Sequence, residues 1–390
     1  MKSRLTIVVG RYIVGLPIGG MTWHHLNYLL GLQALGHEVY FLEDSGPWST
    51  PYNPTTWQCD SDPSYGIDYL ARTFTQYGLP DDRWCYYSEF LHRHFGMSES
   101  ALNEVLARAD LLICVSGVTP LRSERPRPKR TLVIDTDPVF TQLHMSEKPH
   151  VQEYFALFDK VATFGTLIGT DRSVLPTHGF NWIPTRQPIS LPHWPAVENG
   201  SRRFSTLGKW EHTGERHVDF NGNRYLSSKS VEWIRLLNLP GRTKWEMMLA
   251  MQLMPHEIED VFRSNGWTVP ADPEKISISC ESYQQFIQES AGEFTVAKQI
   301  YSGLPSGWFS DRAACYLASG KPVITQRSGF EHWLPVGEGL FIFDTLDSAV
   351  KALNEIDAHY ARHSKAARRI AEEYFDSRLV LHELIERAMG

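Results

Sequence analysis

The chain has 390 residues, of which 42% are hydrophobic and 21% charged. That length suits two domains of ordinary size, and the composition is typical of a globular protein. The formal net charge of −7 provides no basic field to hold a polyanion, so nucleic acid is not expected as a partner. The five cysteines are scattered and form no CxxC pair, which argues against a zinc site and fits a reduced cytoplasm. The sequence contains no run of about 18 apolar residues that would predict a transmembrane helix.

The first half of the sequence alternates between short β-rich runs and helical segments. LTIVVG leads into the loop GLPIGG, then the helical run MTWHHLNYLLGLQALG and the β-rich run HEVYFLED, which together predict a βαβ unit. Further β-rich runs follow at 110–117, 131–137 and 160–165. Alternation of this kind predicts a parallel sheet with both faces covered. We therefore assign residues 1–185 to a Rossmann-like N-terminal domain.

The second half repeats this alternation after a break. Residues 183–200 carry four prolines and no helical period, which indicates a linker between domains. We assign 200–375 to a second doubly wound domain and 376–390 to a final helix. The predicted strands are RFSTLGKW, KWEMMLAM, GEFTVAK, KPVITQ and GLFIF, and the predicted helices lie around 226–238, 255–265, 282–290 and 311–319. The charged stretch from about 346 to 388 is expected to form helices on an outer face.

The loop GLPIGG leaves a strand and enters a helix. Gly19 and Gly20 are therefore placed to allow close backbone approach and to offer free N–H groups to a substrate, although a plain tight turn is the alternative. The glycine spacing does not match the dinucleotide fingerprint G-x-G-x-x-G. His24 and His25 follow and point about 100° apart, so only one can face a cleft. His24 lies nearer the loop and is the candidate general base or hydroxyl ligand, whereas His25 shares a face with Leu29 and is expected to pack in the core.

The most informative stretch of the second half is SGWFSDRAACYLASG. It predicts a loop of small residues that ends at a capping Ser310, followed by a helix that a glycine stops. A helix that opens in this way offers an anion site, and Arg312 adds a guanidinium fork for phosphate. Asp311 is expected to cap the helix or to contact a ribose. A purely structural cap is the alternative.

Several other charged residues are candidates for donor binding. Glu293 and Lys298 lie in a strand-like segment, and at a spacing of five they point to opposite faces of a regular strand. Lys209 and Lys229 lie near the first strand-to-helix turn of the second domain, where cations would meet a diphosphate, although lone lysines are usually solvated. Glu331 follows a strand end and is placed to accept a hydrogen bond from a ribose or sugar hydroxyl.

A pair of aspartates ends a strand of the first domain in the run IDTDPVF. Asp135 and Asp137 alternate along that strand, so their carboxylates are expected to lie side by side and to raise one pKa. Such a pair would act as a catalytic base or hold hydroxyls, and Asp137 is our candidate. A turn aspartate before Pro138 is the alternative. His144 follows, but with no obvious third ligand nearby we predict no tight metal site.

Both halves resemble a known family. GGMTWHHLNYLLGLQALGHEVYF is similar to the GG-x-x-x-H…GHxV signature that opens many GT-B glycosyltransferases, with His24 at its histidine position. ASGKPVIT and GEGLFIFDTLDSAVKAL resemble the donor-binding half of these families, particularly the glycosyltransferase-like proteins related to spore-maturation protein CgeB. The resemblance implies an α/β fold of two Rossmann-like doubly wound domains facing a cleft, with a nucleotide-diphospho-sugar donor mainly on the second domain. It also implies that helix N-termini and basic side chains, without a metal or other cofactor, stabilise the leaving diphosphate.

The sequence departs from that family pattern at two places. Retaining members carry E-x7-E glutamates, which would fall at Gly307 and Cys315, and the inverting plant-type pattern has a histidine where Met21 stands. The stereochemistry of transfer is therefore left open. We expect a cytoplasmic, metal-independent, hexosyltransferase-like enzyme acting on an unidentified acceptor hydroxyl of a small molecule, glycan or lipid-linked compound. A nucleotide-sugar epimerase of the same fold and a non-catalytic nucleotide- or sugar-binding protein are the alternatives.

Overall fold

The computed structural model describes residues 4–47, 50–211 and 217–390. The strands of these residues form two mainly parallel sheets and two short hairpins. The strands are β1 (Thr6–Gly10), β2 (Glu38–Asp44), β3 (Tyr52–Asn53), β4 (Gln58–Cys59), β5 (Trp84–Ser88), β6 (Arg93–Gly96), β7 (Leu111–Val115), β8 (Thr131–Asp135), β9 (Lys160–Thr163), β10 (Ile183–Pro184), β11 (Arg203–Lys209), β12 (His217–Phe220), β13 (Asn223–Leu226), β14 (Glu246–Gln252), β15 (Gly292–Phe294), β16 (Val323–Thr325) and β17 (Leu340–Ile342).

Helices connect most of these strands. The α-helices are α1 (Gly19–Ala34), α2 (Ser64–Gln76), α3 (Glu99–Arg108), α4 (Phe140–Glu147), α5 (Pro149–Ala156), α6 (Ser230–Arg235), α7 (His256–Ser264), α8 (Cys280–Gln288), α9 (Gln299–Gly303), α10 (Asp311–Ala318), α11 (Leu346–Ala358), α12 (Tyr360–Tyr374) and α13 (Ser377–Met389). Three 3₁₀ turns lie at Pro240–Arg242, Pro273–Ser277 and Phe330–His332. Within the described residues, no helix is long and apolar enough to cross a bilayer.

The first sheet has the strand order β10-β9-β8-β7-β1-β2-β5-β6. Its strands pair in parallel, except that the edge strand β6 is antiparallel to β5. Ile7 and Val9 belong to one apolar cluster and Val8 to another, and all three are fully buried. Since successive strand residues point to opposite faces, both faces of this sheet are covered, as the continuous apolar run in β1 predicts.

The second sheet has the order β14-β11-β15-β16-β17, with every pair parallel. Phe204 and Leu207 of β11 lie in different apolar clusters, so this sheet is also covered on both faces. The predicted α/β fold with two doubly wound sheets is therefore confirmed. In each sheet the first strand of the series, β1 or β11, has neighbours on both sides, which places a topological switch point there. In open α/β sheets ligands bind at the carboxyl ends of the strands beside such a point.

The two halves pack directly against each other. The indole Nε1 of Trp23 in α1 donates to the carbonyl oxygen of Cys280 at 2.9 Å, and its rings contact Trp194 with centroids 4.9 Å apart. Tyr283 of α8 packs against the same Trp194. One apolar cluster runs through these residues and into α10, so the domains share a continuous core along this side of the cleft.

Three sequence predictions differ from the structure in detail. The first helix begins at Gly19 and not after the glycines, so Gly19 and Gly20 of the predicted loop lie in its first turn. The predicted helix at 226–238 is shortened to α6, because the preceding residues form the β12–β13 hairpin. The last helix, α13, packs on α1 and not only on an outer face. The predicted domain boundaries at 185 and 200 remain predictions.

Gly31 allows α13 to approach α1 closely. A Cβ at Gly31 would lie 2.6 Å from Cδ1 of Leu381 and 2.6 Å from Cβ of Ser377. Gly31→Ala is therefore expected to reduce the free energy of unfolding by about 1–3 kcal/mol through overpacking, measured by urea denaturation. Gly241→Ala is the matched control, since nothing lies within 4 Å of its Cβ position. Equal stability of the two variants would contradict this account of the contact.

Candidate active site

Most of the predicted site residues meet where the carboxyl edges of the two sheets face each other. His24 begins this group on α1, and Asp311 and Arg312 open α10 on the opposite domain. The other members are close enough for their charges to shift each other's pKa values. The charges of four site residues shift the pKa of Lys229, and those of Asp137 and Lys209 shift the pKa of Lys298. The residues brought together are His24, Asp137, Lys209, Lys229, Glu293, Lys298, Asp311 and Arg312.

A histidine–aspartate pair bridges the two domains. Nδ1 of His24 lies 3.1 Å from Oδ2 of Asp311. Burial lowers the pKa of His24, the charge of Arg11 lowers it further, and Asp311 and Asp137 oppose these effects. Burial raises the pKa of Asp311, but the hydrogen bond and charge of His24 and the charge of Arg312 outweigh it and bring the pKa to about 2.

These pKa shifts indicate the protonation of the pair. An ionised carboxylate can only accept, so the Nδ1 of His24 carries the hydrogen and donates it. In a neutral ring the Nε2 of His24 is then unprotonated and holds a free lone pair. This Nε2 is buried and has no hydrogen-bond partner among the described residues. The pair thus presents an oriented base with a vacant acceptor atom.

The predicted anion site at the start of α10 is occupied by the chain itself. The Oγ of Ser310 accepts from the N–H of Ala313, and Oδ1 of Asp311 accepts from the N–H of Arg312 at 2.8 Å. Ser310 is therefore the helix cap that the sequence predicts. Because its side chain and that of Asp311 already bind N–H groups of the first turn, fewer donors remain for a phosphate than the sequence suggested.

Arg312 is also committed to protein partners. Its Nε donates to Oε1 of Glu293 at 2.5 Å, Nη1 donates to the carbonyl oxygen of Leu207, and Nη2 donates to Oγ1 of Thr295 at 3.1 Å. Burial lowers the pKa of Arg312, but the charge of Glu293 raises it overall. The sequence prediction of an open guanidinium fork is corrected here, since the fork binds the edge of the second sheet.

Among the cations predicted from the sequence, the lysines remain available. Lys229 precedes α6 and is half-buried, and its side-chain amine makes no hydrogen bond or ion pair to a described residue. Burial lowers its pKa to about 7, and the charge of Arg312 contributes in the same direction. Lys298 caps α9 beside the rings of Phe140 and Tyr301, and burial lowers its pKa too. Lys209 is exposed at the carboxyl end of β11.

A bend in the chain explains how Glu293 and Lys298 come to the same site. The strand β15 ends at Phe294, and the chain then turns into α9 after Lys298. The expectation that the two side chains point to opposite faces applied to a regular strand, which is not formed here. Glu293 is fully buried in the sheet, whereas Lys298 is only half-buried.

The two aspartates of the first domain differ in their exposure to solvent. Asp135 is buried and accepts hydrogen bonds from Thr141, Gln142 and Thr163. Burial raises its pKa to about 6, and the charge of Asp137 contributes only slightly. The predicted pKa elevation occurs, but mainly from burial and not from a side-by-side pair. Asp137 is exposed, and its Oδ1 accepts from the hydroxyl of Tyr301 at 3.3 Å.

The remaining predicted residues serve mainly in packing. A Cβ on Gly19 would collide with the carbonyl oxygen of Ser279, and the N–H of Gly20 donates to Oγ of Ser277 at 3.3 Å. The predicted close approach is thus made by the chain and not by a substrate. The Oε2 of Glu331 accepts from the N–H of Gly329 at 3.1 Å and its Oε1 lies 3.8 Å from Arg327, and no hydrogen bond or ion pair joins it to the cluster within the described residues.

Two residues at this site were not predicted from the sequence. Tyr301 follows Lys298, and its ring stacks on Trp308 with centroids 4.4 Å apart. Arg11 directly follows β1 and is 4% exposed. The signal for Arg11 was its position, a cation at the carboxyl end of the first strand of a doubly wound sheet. Among the described residues, no group of three or more His, Cys, Asp or Glu side chains is arranged to hold a metal ion.

No protein-family model matches this sequence, and comparison with curated proteins finds no match. Solved structures do match. An α-glucosyltransferase in complex with UDP and a 13-mer DNA superposes with a TM-score of 0.58 at 11% identity, covering 100% of both chains. AviGT4, a glycosyltransferase involved in avilamycin A biosynthesis, gives 0.54 at 12% identity over 98% of this chain and 97% of that one. Alr3699/HepE of Anabaena in complex with UDP and glucose gives 0.54 at 10%, covering 98% and 99%.

The chain has the GT-B fold. At 10% to 12% identity the likeness shows the fold alone. In this fold the carboxyl edges of two Rossmann-like sheets face one another, and that is where His24, Asp311 and the lysines lie.

Replacing Asp311 by asparagine tests the bridge between the domains. The charge and hydrogen bond of Asp311 both raise the pKa of His24, so Asp311→Asn is expected to lower that pKa further. The ring ¹⁵N shifts of His24 in an NMR pH titration report it directly. A pKa of His24 that stays unchanged or rises in Asp311→Asn would show that the two side chains are not coupled in solution.

Proposed function

We propose that the chain is a glycosyltransferase that moves a sugar from a nucleotide-diphospho-sugar to an acceptor hydroxyl without requiring a bound metal. The observation that carries this proposal is the His24–Asp311 pair, in which one domain supplies the base and the other orients it. The GT-B fold supports it, as do the UDP complexes of structures with the same fold. A relation to the CgeB-related proteins and a hexose as the transferred sugar belong to the same proposal, as does a cytoplasmic location.

The acceptor is activated by His24 in this proposal. Its Nε2 takes the proton of the acceptor hydroxyl, the oxygen bonds to the anomeric carbon, and the bond from that carbon to the diphosphate breaks. The nucleoside diphosphate leaves with the bonding electron pair. Asp311 holds the imidazole and stabilises the imidazolium that forms, as an orienting carboxylate does. Asp137 is exposed nearby and adds negative charge that favours the protonated ring.

The leaving diphosphate is stabilised by lysines. Lys229 and Lys298 lack carboxylate partners at hydrogen-bond distance in the described part of the chain, and Lys209 stands near Lys298. Arg312 acts differently, since its guanidinium is held by Glu293 and fixes the start of α10. Cations that act in a partly water-excluded site stabilise developing negative charge strongly, so no metal is needed for this step.

A non-catalytic nucleotide- or sugar-binding protein is the second candidate. The positions of the E-x7-E glutamates hold Gly307 and Cys315. Gly307 has φ +84° and packs against Thr166, and Cys315 is buried in the shared core. Carboxylates could not occupy these positions without displacing their neighbours. This candidate would be favoured if a nucleotide-sugar binds but is neither transferred nor hydrolysed. Conversion of the nucleotide-sugar to an isomer in the absence of an acceptor would instead indicate an epimerase.

Nucleic acid is not part of the proposed function. Several structures of an α-glucosyltransferase with the same fold were solved with DNA, but the net charge of −7 opposes binding to a polyanion. The proposed acceptor is a small molecule, a glycan or a lipid-linked compound. Failure to bind a DNA duplex at both low and physiological salt would agree with this proposal. Tight binding of the duplex at physiological salt would overturn it.

The donor is tested by thermal shift with UDP, GDP, TDP and ADP and their sugars, without added metal. A nucleotide at a hundredfold excess over its Kd stabilises a protein by roughly 2.7 kcal/mol. We expect a shift with one nucleotide, and UDP is the first probe. No shift with any nucleotide, in protein shown to be folded, would remove the proposed donor.

Lys229 makes nucleotide binding depend on pH. With a pKa of about 7 it is mostly neutral at pH 8, and a diphosphate favours its charged form, so binding at pH 8 takes up a proton. Lys229→Met is expected to abolish this uptake and to weaken UDP binding at pH 7 by about tenfold or more. Calorimetry in buffers of different ionisation enthalpy measures both. Exposed Lys365→Met is the control, and equal proton uptake in both variants would exclude Lys229.

His24→Asn separates binding from chemistry. The asparagine amide still donates to Asp311 but carries no base, so turnover is expected to fall by about 10² to 10⁴-fold while the Kd for the nucleotide is unchanged. Release of the nucleoside diphosphate from its sugar donor measures the rate. His193→Asn is the control, since His193 bonds Ser190 away from the pair. Full activity in His24→Asn would exclude His24 as the base.

A further inference from the structure

Arg11 is a buried cation without an acidic partner in the described part of the chain. It follows β1, and its backbone N–H donates to the carbonyl oxygen of Leu42 at 2.9 Å. Only 4% of the residue is exposed, and the Nε and Nη1 atoms have no hydrogen-bond partner. The guanidinium carbon lies 5.2 Å from the centre of the Tyr12 ring, which is its aromatic contact.

An unpaired buried charge is unfavourable. Taking a guanidinium out of water without a compensating anion costs several kcal/mol. Two other arginines whose side chains are mostly buried are paired, Arg125 with Asp44 and Arg312 with Glu293. Arg11 differs from both, so a ligand from outside the chain is the natural source of its missing negative charge.

The neighbours of Arg11 place that ligand beside the proposed base. The charge of Arg11 acts on His24, His25 and Tyr28. The rings of His24 and Tyr28 lie 6.3 Å apart, and the Nε2 of His24 and the hydroxyl of Tyr28 are buried without partners. Unpaired polar atoms therefore gather around the atom that would receive the proton of the acceptor.

We propose that Arg11 binds a carboxylate or phosphate group carried by the acceptor, next to the hydroxyl that is glycosylated. This inference rests on the proposed function, since it identifies the anion as part of the acceptor. Arg11 belongs to the first domain, whereas the lysines assigned to the diphosphate belong to the second. An acceptor anion at Arg11 would orient the hydroxyl towards His24 through a bidentate contact, which is the geometry that guanidinium groups favour.

The experiment measures the unfolding temperature of wild type and Arg11→Gln with inorganic phosphate, with acetate and with sodium chloride at equal ionic strength. The phosphate and acetate arms separate a phosphate-bearing from a carboxylate-bearing acceptor. We expect one anion to raise the unfolding temperature of wild type by about 2 °C or more and to leave Arg11→Gln unchanged. Without ligand, Arg11→Gln should unfold at a higher temperature than wild type, because the unpaired charge is gone.

Arg125→Gln is the matched control, because it removes a mostly buried arginine that is paired with an aspartate. It should unfold at a lower temperature and keep the response to the anion. Arg11→Lys should retain part of that response. No response of wild type, or an equal response in Arg11→Gln, would overturn the proposal.

UDP added to the same variants separates this proposal from the proposed function. A UDP response that is equal in wild type and Arg11→Gln supports both. Loss of the UDP response in Arg11→Gln alone would assign Arg11 to the donor diphosphate and overturn the acceptor assignment. Absence of a UDP response in both proteins, with the phosphate or acetate response retained, would overturn the nucleotide donor and leave the anion site standing.

Discussion

The candidate site depends on the ion pair between Arg312 and Glu293. Glu293 lies on β15, and the same guanidinium holds the carbonyl of Leu207 at the end of β11 and the hydroxyl of Thr295. One side chain therefore joins the switch point of the second sheet to the first turn of α10. Breaking such a buried pair leaves an uncompensated charge and costs about 3–5 kcal/mol. The position of Asp311, and with it the orientation of His24, follows from where this pair holds the helix.

Close packing between the domains sets a second constraint. Gly19 permits the backbone of Ser279 to approach α1, and Gly307 and Gly329 allow the loop before α10 to approach Leu167. A side chain at any of these positions would hold the domains apart. The distance of 3.1 Å between His24 and Asp311 is therefore available only because glycines stand at the contact points. The shared core around Trp23 then stabilises the arrangement that brings the two halves of the candidate site together.

The sequence predicted the fold well and the state of the site residues poorly. Apolar runs such as LTIVVG and KPVIT identify buried strands because a parallel sheet covered on both faces needs continuous apolar residues. The cap at Ser310 was also readable, since it depends on local chemistry. The ion pair between Arg312 and Glu293 could not be predicted from the sequence, because the two residues lie on different elements whose spacing depends on the tertiary fold. The β12–β13 hairpin was missed for a similar reason: Val218 and Tyr225 join an apolar cluster made of residues distant in the sequence, from both halves of the chain, and no local periodicity encodes that packing.

Three cations of the site, Arg312, Lys229 and Arg11, hold their positive charge in different ways. Arg312 is neutralised by Glu293 and is therefore rigid, fully charged and unavailable, whereas Lys229 has a pKa of about 7 and gains charge when an anion arrives. Burial of a guanidinium without an anionic partner is destabilising, and Arg11 is buried in this way among the described residues. A neutral side chain at this position would make the fold more stable. Such a loss of stability is common where binding needs a preformed site. In the proposed reaction, Arg11 of the first domain would meet a permanent anion, and Lys229 would meet the negative charge that develops on the leaving diphosphate.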